Sequence, residues 1–335
     1  MRALLLVSVL AAGLVAGGAW MEYRDFLSEP MVPDQESLVL DIKKGTSLAR
    51  LSEELTELGL LEHPYLFMAL AYHKGKATSI KAGEYELPAG IRPPELLELV
   101  TSDKVVQHTF TLVEGSTYRR FLVAVAKDRR LEHLLGDNPS AQTVMTRLGH
   151  PEEHPEGRFL PETYHFSKGT SDLDILRRAY AAMERVLKEE WAQRDEGLPL
   201  ENPYEALILA SIVEKEAGLA SERPIIAGVF IRRLNLGMKL QADPTVIYGL
   251  GKRFHGNITR THLREDTPYN TYVHKGLPPT PIALPGQAAI HGVLHPQAGD
   301  SLFFVAKGDG SRSHHFSTTL AEHNQAVRRY QLRKR

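Results

Sequence analysis

The sequence predicts an α+β protein, because strand-like and helix-like hydrophobic patterns occur in different parts of the chain. Leu38, Leu40 and Ile42 occupy alternate positions, as in a half-buried strand. From Ser171 onward the apolar residues follow helical spacing instead. Toward the C-terminus the pattern gives way to loops rich in proline and glycine, with a short apolar strand at 302–305. The 335 residues suffice for about two domains of ~150 residues each.

The composition excludes several classes of protein. Lys and Arg number 40 against 41 Asp and Glu, and this balance argues against a nucleic-acid partner. The chain has no cysteine, so disulfides, thiolate metal sites and cysteine nucleophiles are excluded. With 42% hydrophobic and 24% charged residues, the chain has the composition of a folded globular protein.

The N-terminal segment predicts a membrane anchor. The 19 residues from Ala3 to Met21 carry no charge. As a helix they would extend about 28 Å, close to the thickness of a bilayer core. Arg2 precedes them, so the positive-inside rule places the rest of the chain outside the cytoplasm. A cleavable signal peptide is the alternative, since Gly17 and Ala19 have the small side chains that a signal peptidase requires.

The chain is predicted to have four parts. Residues 1–21 form the transmembrane anchor, and residues 22–36, with two prolines and five acidic side chains, form a linker. Residues 37–105 form a small α/β module. Residues 106–335 form a larger α+β domain that contains the catalytic candidates described below.

A weak internal repeat has a spacing of 70 residues. Gly45-Thr46-Ser47 corresponds to Gly115-Ser116-Thr117, and each copy predicts a strand, a glycine turn, a hydroxyl cap and a helix. Two ordinary strand-to-helix turns would give the same pattern. The arrangement resembles the small LysM-like glycan-binding modules of cell-wall enzymes, which implies a glycan-binding role for residues 37–105.

Two carboxylates occur near the end of a strongly apolar helix predicted over 203–217. Glu216 continues the apolar stripe of Ile208 and Ile212, since the three residues are spaced by four. A carboxyl held against an apolar surface has a raised pKa, as a general acid requires near neutral pH. Glu214 lies on nearly the opposite side of the helix. The pattern alone does not separate the two candidates, and two solvated carboxylates are the alternative.

Several longer segments occur in an order that resembles the endolytic murein transglycosylase family. They are EGRFLPETY (156–164), ASIVEKE (210–216), ASER (220–223), FIRRL (230–234), LQADPTVIYG (240–249), PYNTY (268–272), GLPPTPIA (276–283), HHF (314–316) and EHN (322–324). The likeness extends from about residue 37 to the end of the chain, and the N-terminal membrane segment is also usual in that family.

The resemblance implies an inner-membrane enzyme whose outer-face domain cleaves peptidoglycan glycan strands internally, without a cofactor. It implies that Glu216, the second glutamate of EKE, is the catalytic residue. This carboxyl would protonate the glycosidic oxygen between N-acetylmuramic acid and N-acetylglucosamine. It would then take the proton of the muramoyl 6-hydroxyl and leave a 1,6-anhydro end. Peptidoglycan synthases (penicillin-binding proteins), whose growing strands such cleavage would terminate, are the implied partners.

Four further residues are predicted to contact the sugar: Asp243, Asn270, Tyr272 and His314. An Asx turn is the alternative for Asp243, and packing is the alternative for Asn270 and Tyr272. No metal site is predicted. Histidines occur at 291 and 295, but neither an H-E-x-x-H motif nor an acidic partner accompanies them in the sequence.

Two other functions stay open at this point. A two-carboxylate muramidase would use Glu216 as the acid and Asp243, Asp266 or Glu162 as its partner. It would leave reducing ends rather than anhydro ends. A non-enzymatic scaffold would bind the wall and cleave nothing.

Overall fold

The computed structural model describes residues 2–33 and 37–332, with the backbone alone for residues 2–9. The chain divides into two compact units. The first unit comprises Met1–Thr109 with His165–Thr170, and the second comprises Phe110–Tyr164 with Ser171–Arg335. Helices combine with small two-stranded sheets, so the predicted α+β class is confirmed.

The first unit is a small α/β structure around one sheet. Its elements are α1 (Arg2–Ser28), β1 (Leu38–Ile42), α2 (Leu48–Glu57), α3 (Pro64–His73), β2 (Gly83–Leu87) and α4 (Pro93–Val100). β1 and β2 pair antiparallel, with Leu40 opposite Tyr85. Alternate residues of both strands and the apolar stripe of α2 are buried together, so this unit has its own hydrophobic core.

Three residues of the segment predicted as a linker are buried in this core. α1 continues to Ser28, and Phe26, Met31 and Val32 are buried. Backbone hydrogen bonds hold the chain after α1, because the amide of Met31 donates to the carbonyl of Ile91 at 2.8 Å. The acidic residues and prolines suggested a solvated linker, but three apolar side chains among them have surface to bury. Residues 34–36 of the predicted linker lie outside the described residues.

The predicted membrane anchor falls on α1, which begins at Arg2. The side chains of its first residues, up to residue 9, lie outside the description. Within residues 2–33 and 37–332, no helix is both long and apolar enough to cross a membrane.

The two segments of the weak repeat adopt the same local structure, a glycine turn followed by a hydroxyl-capped helix. Gly45 and Gly115 have φ values of +86° and +70°, which an L side chain rarely adopts. In each copy a hydroxyl then caps the next helix: Ser47 accepts from the amide of Arg50 and Thr117 accepts from the amide of Arg120. Glycan binding by residues 37–105 stays a prediction.

The second unit is mainly helical. Strands β3 (His108–Thr111) and β4 (Thr163–Phe166) each run across the boundary between the two units. Within the second unit come α5 (Tyr118–Lys127), α6 (Ala141–Leu148), α7 (Asp172–Ala192), α8 (Pro203–Glu216), α9 (Arg223–Asn235), α10 (Asp243–Leu250), α11 (Gln287–Leu294), β5 (Phe303–Ala306), β6 (His314–Ser317) and α12 (Leu320–Val327). β3 pairs with β4, and β5 pairs antiparallel with β6.

Helix α8 forms the centre of the second unit. Asn202 caps its start by accepting from the amide of Glu205, and Pro203 occupies the first turn. Every residue from 206 to 213 is buried, and α7, α9, α10 and α11 pack around the helix. The helix ends at Glu216, as the sequence predicted within one residue. The EKE segment is therefore held at the end of a rigid, buried helix.

Candidate active site

A cavity of about 480 Å³ lies at the C-terminal end of α8. It brings together four of the five predicted site residues, namely Glu216, Asp243, Tyr272 and His314. The other lining residues come from α9, the loop before α10, strand β5, and the region of α12. Residues far apart in the sequence thus converge on one carboxyl.

Glu216 has the electrostatic character of a general acid. Burial raises the pKa of Glu216 to about 8, and the negative charge of Asp243 adds to this effect while the positive charge of Arg233 opposes it. The carbonyl end of α8 also disfavours a negative charge at this position. Glu216 has no ion-pair partner among the described residues. At neutral pH its carboxyl is therefore mostly protonated and available to donate.

Glu214 is in the opposite situation, with a side chain only 6% exposed and both oxygens bound. One oxygen accepts from Nη2 of Arg223 at 3.0 Å, and the other accepts from the amide of Gly286 at 3.1 Å. The same guanidinium nitrogen donates to Glu114 at 2.9 Å. Glu214 does not line the cavity. The geometry thus distinguishes two carboxylates that the sequence pattern left equivalent.

Asp243 and Tyr272 form a hydrogen-bonded pair in the cavity wall. The hydroxyl of Tyr272 donates to Oδ1 of Asp243 at 2.6 Å. Burial and the acceptor carboxylate raise the pKa of Tyr272, so the phenol stays a neutral donor. Asp243 is the first residue of α10, where the helix N-terminus favours its negative charge. The pair therefore holds a carboxylate near Glu216 in a fixed position.

The structure does not bring Asn270 into the cavity. Its side chain is buried, and its amide nitrogen donates to the carbonyls of His262 and Glu265 at 3.2 and 2.7 Å. Its amide oxygen accepts from the backbone of Tyr272 at 2.9 Å. These bonds use the groups that the sequence analysis assigned to sugar contact. Asn270 instead fixes the loop that presents Tyr272.

His314 is held by a carboxylate that sequence reasoning did not single out. Nδ1 of His314 lies 2.7 Å from Oε2 of Glu222, and its backbone amide donates to Oε1 at 2.9 Å. Both side chains are about 10% exposed. These two contacts fix the orientation of the imidazole ring in the cavity wall. Glu222 belongs to the ASER segment, whose spacing gave no hint of this contact.

Sequence reasoning also missed Arg233 and Gln241, which line the cavity. Arg233 is buried and donates to the carbonyls of Leu302 and Leu240 at 2.7 and 2.5 Å. Gln241 has a φ of +52°, a left-handed conformation that is strained for a residue other than glycine. Both residues lie in segments that carry the family resemblance, FIRRL (230–234) and LQADPTVIYG (240–249). Membership of these segments was the one feature of the sequence that could have identified them as site residues.

Only Asp243, of the three proposed partners for a two-carboxylate mechanism, shares the cavity of Glu216. Asp266 is paired instead with Nε2 of His274 at 2.7 Å. Glu162 lines a different cavity, next to Glu114 and Pro161.

The expectation that no acidic residue accompanies His291 and His295 is wrong. Nδ1 of His291 lies 2.8 Å from Oε2 of Glu190, and Nδ1 of His295 lies 2.9 Å from Oδ1 of Asp195. Glu190 lies in the last turn of α7 and Asp195 follows that helix. Both residues precede their histidines by about 100 residues, so sequence spacing could not reveal the contacts. None of the four residues lines the cavity of Glu216.

Comparisons with known proteins agree with the resemblance found in the sequence. Curated relatives named endolytic murein transglycosylase include one from Bacillus subtilis, 29% identical over 95% of this chain and 91% of the relative. Another, from Streptococcus pneumoniae serotype 2, is 26% identical over 91% of this chain, which spans 61% of that relative's length. The crystal structure of a YceG-like protein from Listeria monocytogenes matches with a TM-score of 0.53 and 28% identity, over 87% of this chain and 99% of that one. The model of the YceG-like family matches residues 40–329, and the chain therefore belongs to the YceG-like family.

Proposed function

We propose that this protein is an endolytic murein transglycosylase that cleaves peptidoglycan glycan strands with Glu216 as its catalytic residue. The relatives that carry this name align along nearly the whole chain. The observation that carries the assignment is the carboxyl of Glu216, which lines a cavity large enough for sugar rings and has a pKa of about 8. An acid that is protonated at neutral pH suits the cleavage of a glycosidic bond.

The first step uses the protonated carboxyl. Glu216 donates its proton to the oxygen between N-acetylmuramic acid and N-acetylglucosamine, and the bond from that oxygen to the muramoyl anomeric carbon breaks. Positive charge develops on the muramoyl ring as the bond lengthens. The carboxylate of Asp243, which accepts from Tyr272 at 2.6 Å in the wall of the same cavity, would stabilise this charge.

The second step uses the carboxylate that the first step leaves. Glu216 accepts the proton of the muramoyl 6-hydroxyl, and the hydroxyl oxygen attacks the anomeric carbon. The new bond closes a 1,6-anhydro ring and Glu216 is protonated again. One residue thus serves as the acid in the first step and as the base in the second, and no water is consumed.

A muramidase is the second candidate, because Asp243 shares the cavity. A hydrolase needs its second carboxylate free to attack the sugar or to activate a water molecule. The Tyr272 hydroxyl binds only one oxygen of Asp243, so this contact does not exclude attack through the other, and the chemistry of the new strand ends separates the two candidates.

The test is digestion of purified sacculi by the full-length protein, followed by mass spectrometry of the released fragments. The proposal expects fragments with anhydro ends from the wild type and from Glu214→Gln, and almost none from Glu216→Gln. Reducing ends would indicate the muramidase. Absence of any release would indicate a wall-binding scaffold.

We also propose the finer arrangement of the chain in the cell. Residues 1–21 would anchor it in the cytoplasmic membrane, with residues 37–105 as a LysM-like glycan-binding module and residues 106–335 as the catalytic domain on the outer face. In support, α1 leaves large apolar side chains uncovered, with Leu14 75% and Trp20 67% exposed, as lipid contact would require.

The anchor is tested by cell fractionation with N-terminal sequencing. Recovery with the membranes, and an intact N-terminus, is the expected result. A soluble protein with a new terminus near Trp20 would show cleavage instead. Partnership with peptidoglycan synthases rests on the family resemblance and would be tested by co-purification after crosslinking in cells.

A further inference from the structure

Two helices of the second unit bring a carboxylate and two imidazoles together on their surface. Glu190 lies near the end of α7, His291 lies in the last turn of α11, and His295 follows that helix directly. One ligand atom from each of the three lies within 4.8 Å of the others. Tetrahedral zinc with bonds of ~2.0–2.1 Å holds its ligands roughly 3.4 Å apart, so the three ligand atoms are at most about 1.4 Å farther apart than an ion requires. Glu190 now accepts from Gln287 at 2.9 Å and contacts Nδ1 of His291 at 2.8 Å, and an ion would replace these contacts.

The two histidines are arranged as a helical metal-binding pair. His295 directly follows α11, its amide donates to the carbonyl of His291 at 2.8 Å, and the two imidazole rings lie with their centroids 4.4 Å apart. The side chain of His291 is 58% exposed, so an ion and a water ligand can reach the group from solvent.

Asp195 supplies the contact that metal-binding histidines generally require. Its Oδ1 lies 2.9 Å from Nδ1 of His295, and a carboxylate in this position fixes the ring and leaves Nε2 for a metal. The backbone amide of Asp195 donates to the carbonyl of Leu294 at 3.0 Å, which holds this carboxylate beside the end of α11.

We propose that Glu190, His291 and His295 bind a divalent transition-metal ion of the zinc class, with Asp195 orienting His295. Two imidazoles and one carboxylate are a common zinc donor set, and they leave a fourth position for water. The ion would fasten α11 to α7. Since both helices pack against α8, the bound ion stabilises the unit that carries Glu216. The ion takes no part in the sugar chemistry, so the metal site and the proposed function can be tested independently.

The test is calorimetric titration of Zn²⁺ into the full-length protein, prepared without a polyhistidine tag and stripped with chelator. We expect one site per chain, at least ~100-fold weaker binding in His291→Ala and His295→Ala, and ~10–100-fold weaker binding in Asp195→Asn. The matched control is His274→Ala, because His274 also pairs with a carboxylate, Asp266, at 2.7 Å. This variant should bind zinc as the wild type does.

Thermal denaturation provides an independent readout. At a free zinc concentration of 100 times Kd, the Tm of the wild type and of His274→Ala should rise by about 5–10 °C. The Tm of His291→Ala should not change. The proposal is overturned if zinc does not bind, or if binding and the Tm rise persist unchanged in both His291→Ala and His295→Ala.

Discussion

The exchange of Glu216 for Gln tests the role of this carboxyl in two independent ways. Gln keeps the size and polarity of the side chain but can neither donate nor accept the proton. General acid–base catalysis commonly contributes ~10²–10⁴-fold to rate, and here one group supplies both steps. We therefore expect activity on sacculi to fall by about 10⁴-fold, with glycan binding retained.

The same exchange should stabilise the protein, and by an amount that depends on pH. Folding raises the pKa of Glu216 from 4.5 to about 8, so the wild type loses stability as pH rises between these values. Each pKa unit corresponds to about 1.4 kcal/mol, so the loss by pH 7 approaches ~3 kcal/mol. Solvent in the cavity screens the partly exposed carboxyl, and we expect about 1–3 kcal/mol. The amide introduced by Glu216→Gln does not titrate, so the variant escapes this loss.

The assay is thermal denaturation of both proteins from pH 4.5 to pH 8. Near pH 4.5 the two Tm values should be close, and at pH 7 the Glu216→Gln protein should melt about 2–10 °C higher. A variant that keeps more than about a tenth of wild-type activity would show that Glu216 is not the acid. A Tm difference that stays constant with pH would show that its pKa is not raised.

Three further substitutions follow from the structure. Glu214→Gln removes a buried carboxylate bound by an arginine, so calorimetry should show a loss of about 1–3 kcal/mol while the folded fraction keeps activity within a few-fold of wild type; an inactive, stable variant would contradict this. Asp243→Asn removes the charge that helps to raise the pKa of Glu216, so the alkaline limb of the kcat/KM profile should move to lower pH, and a shift to higher pH would refute the electrostatic role. Gly157→Ala would place its Cβ 2.5 Å from Cγ of Pro281 at a φ of +83°, so the Tm should fall by several degrees, and an unchanged Tm would contradict the packing.

Local sequence patterns predicted those parts of the fold that depend on near neighbours. The predicted start of α8 at residue 203 is confirmed, because the groups that begin the helix, Asn202 as the cap and Pro203 in the first turn, act within one turn. The repeated glycine turns follow for the same reason. The helical position of Glu216 against an apolar stripe also predicted the direction of its pKa shift.

Contacts between distant residues could not be predicted from spacing. The amide that binds Glu214 belongs to Gly286, 72 residues away, so the pattern did not show which glutamate was bound. Glu190 and His291 are in contact but lie 101 residues apart in the sequence. No acidic residue lies between or directly beside His291 and His295 in the sequence, and this led to the wrong expectation that they have no acidic partner. The amide group of Asn270 suggested sugar contact. In the structure this amide binds backbone groups of its own loop, and those contacts depend on how the loop folds.

The most direct measurement of the central claim is digestion of sacculi in water enriched in ¹⁸O, with mass spectrometry of the new strand ends. If Glu216 transfers a proton from the muramoyl 6-hydroxyl, the new ends are 1,6-anhydro sugars that contain no ¹⁸O. Reducing ends that each carry one ¹⁸O would show that water attacks the anomeric carbon, and would contradict a single-residue transglycosylase mechanism.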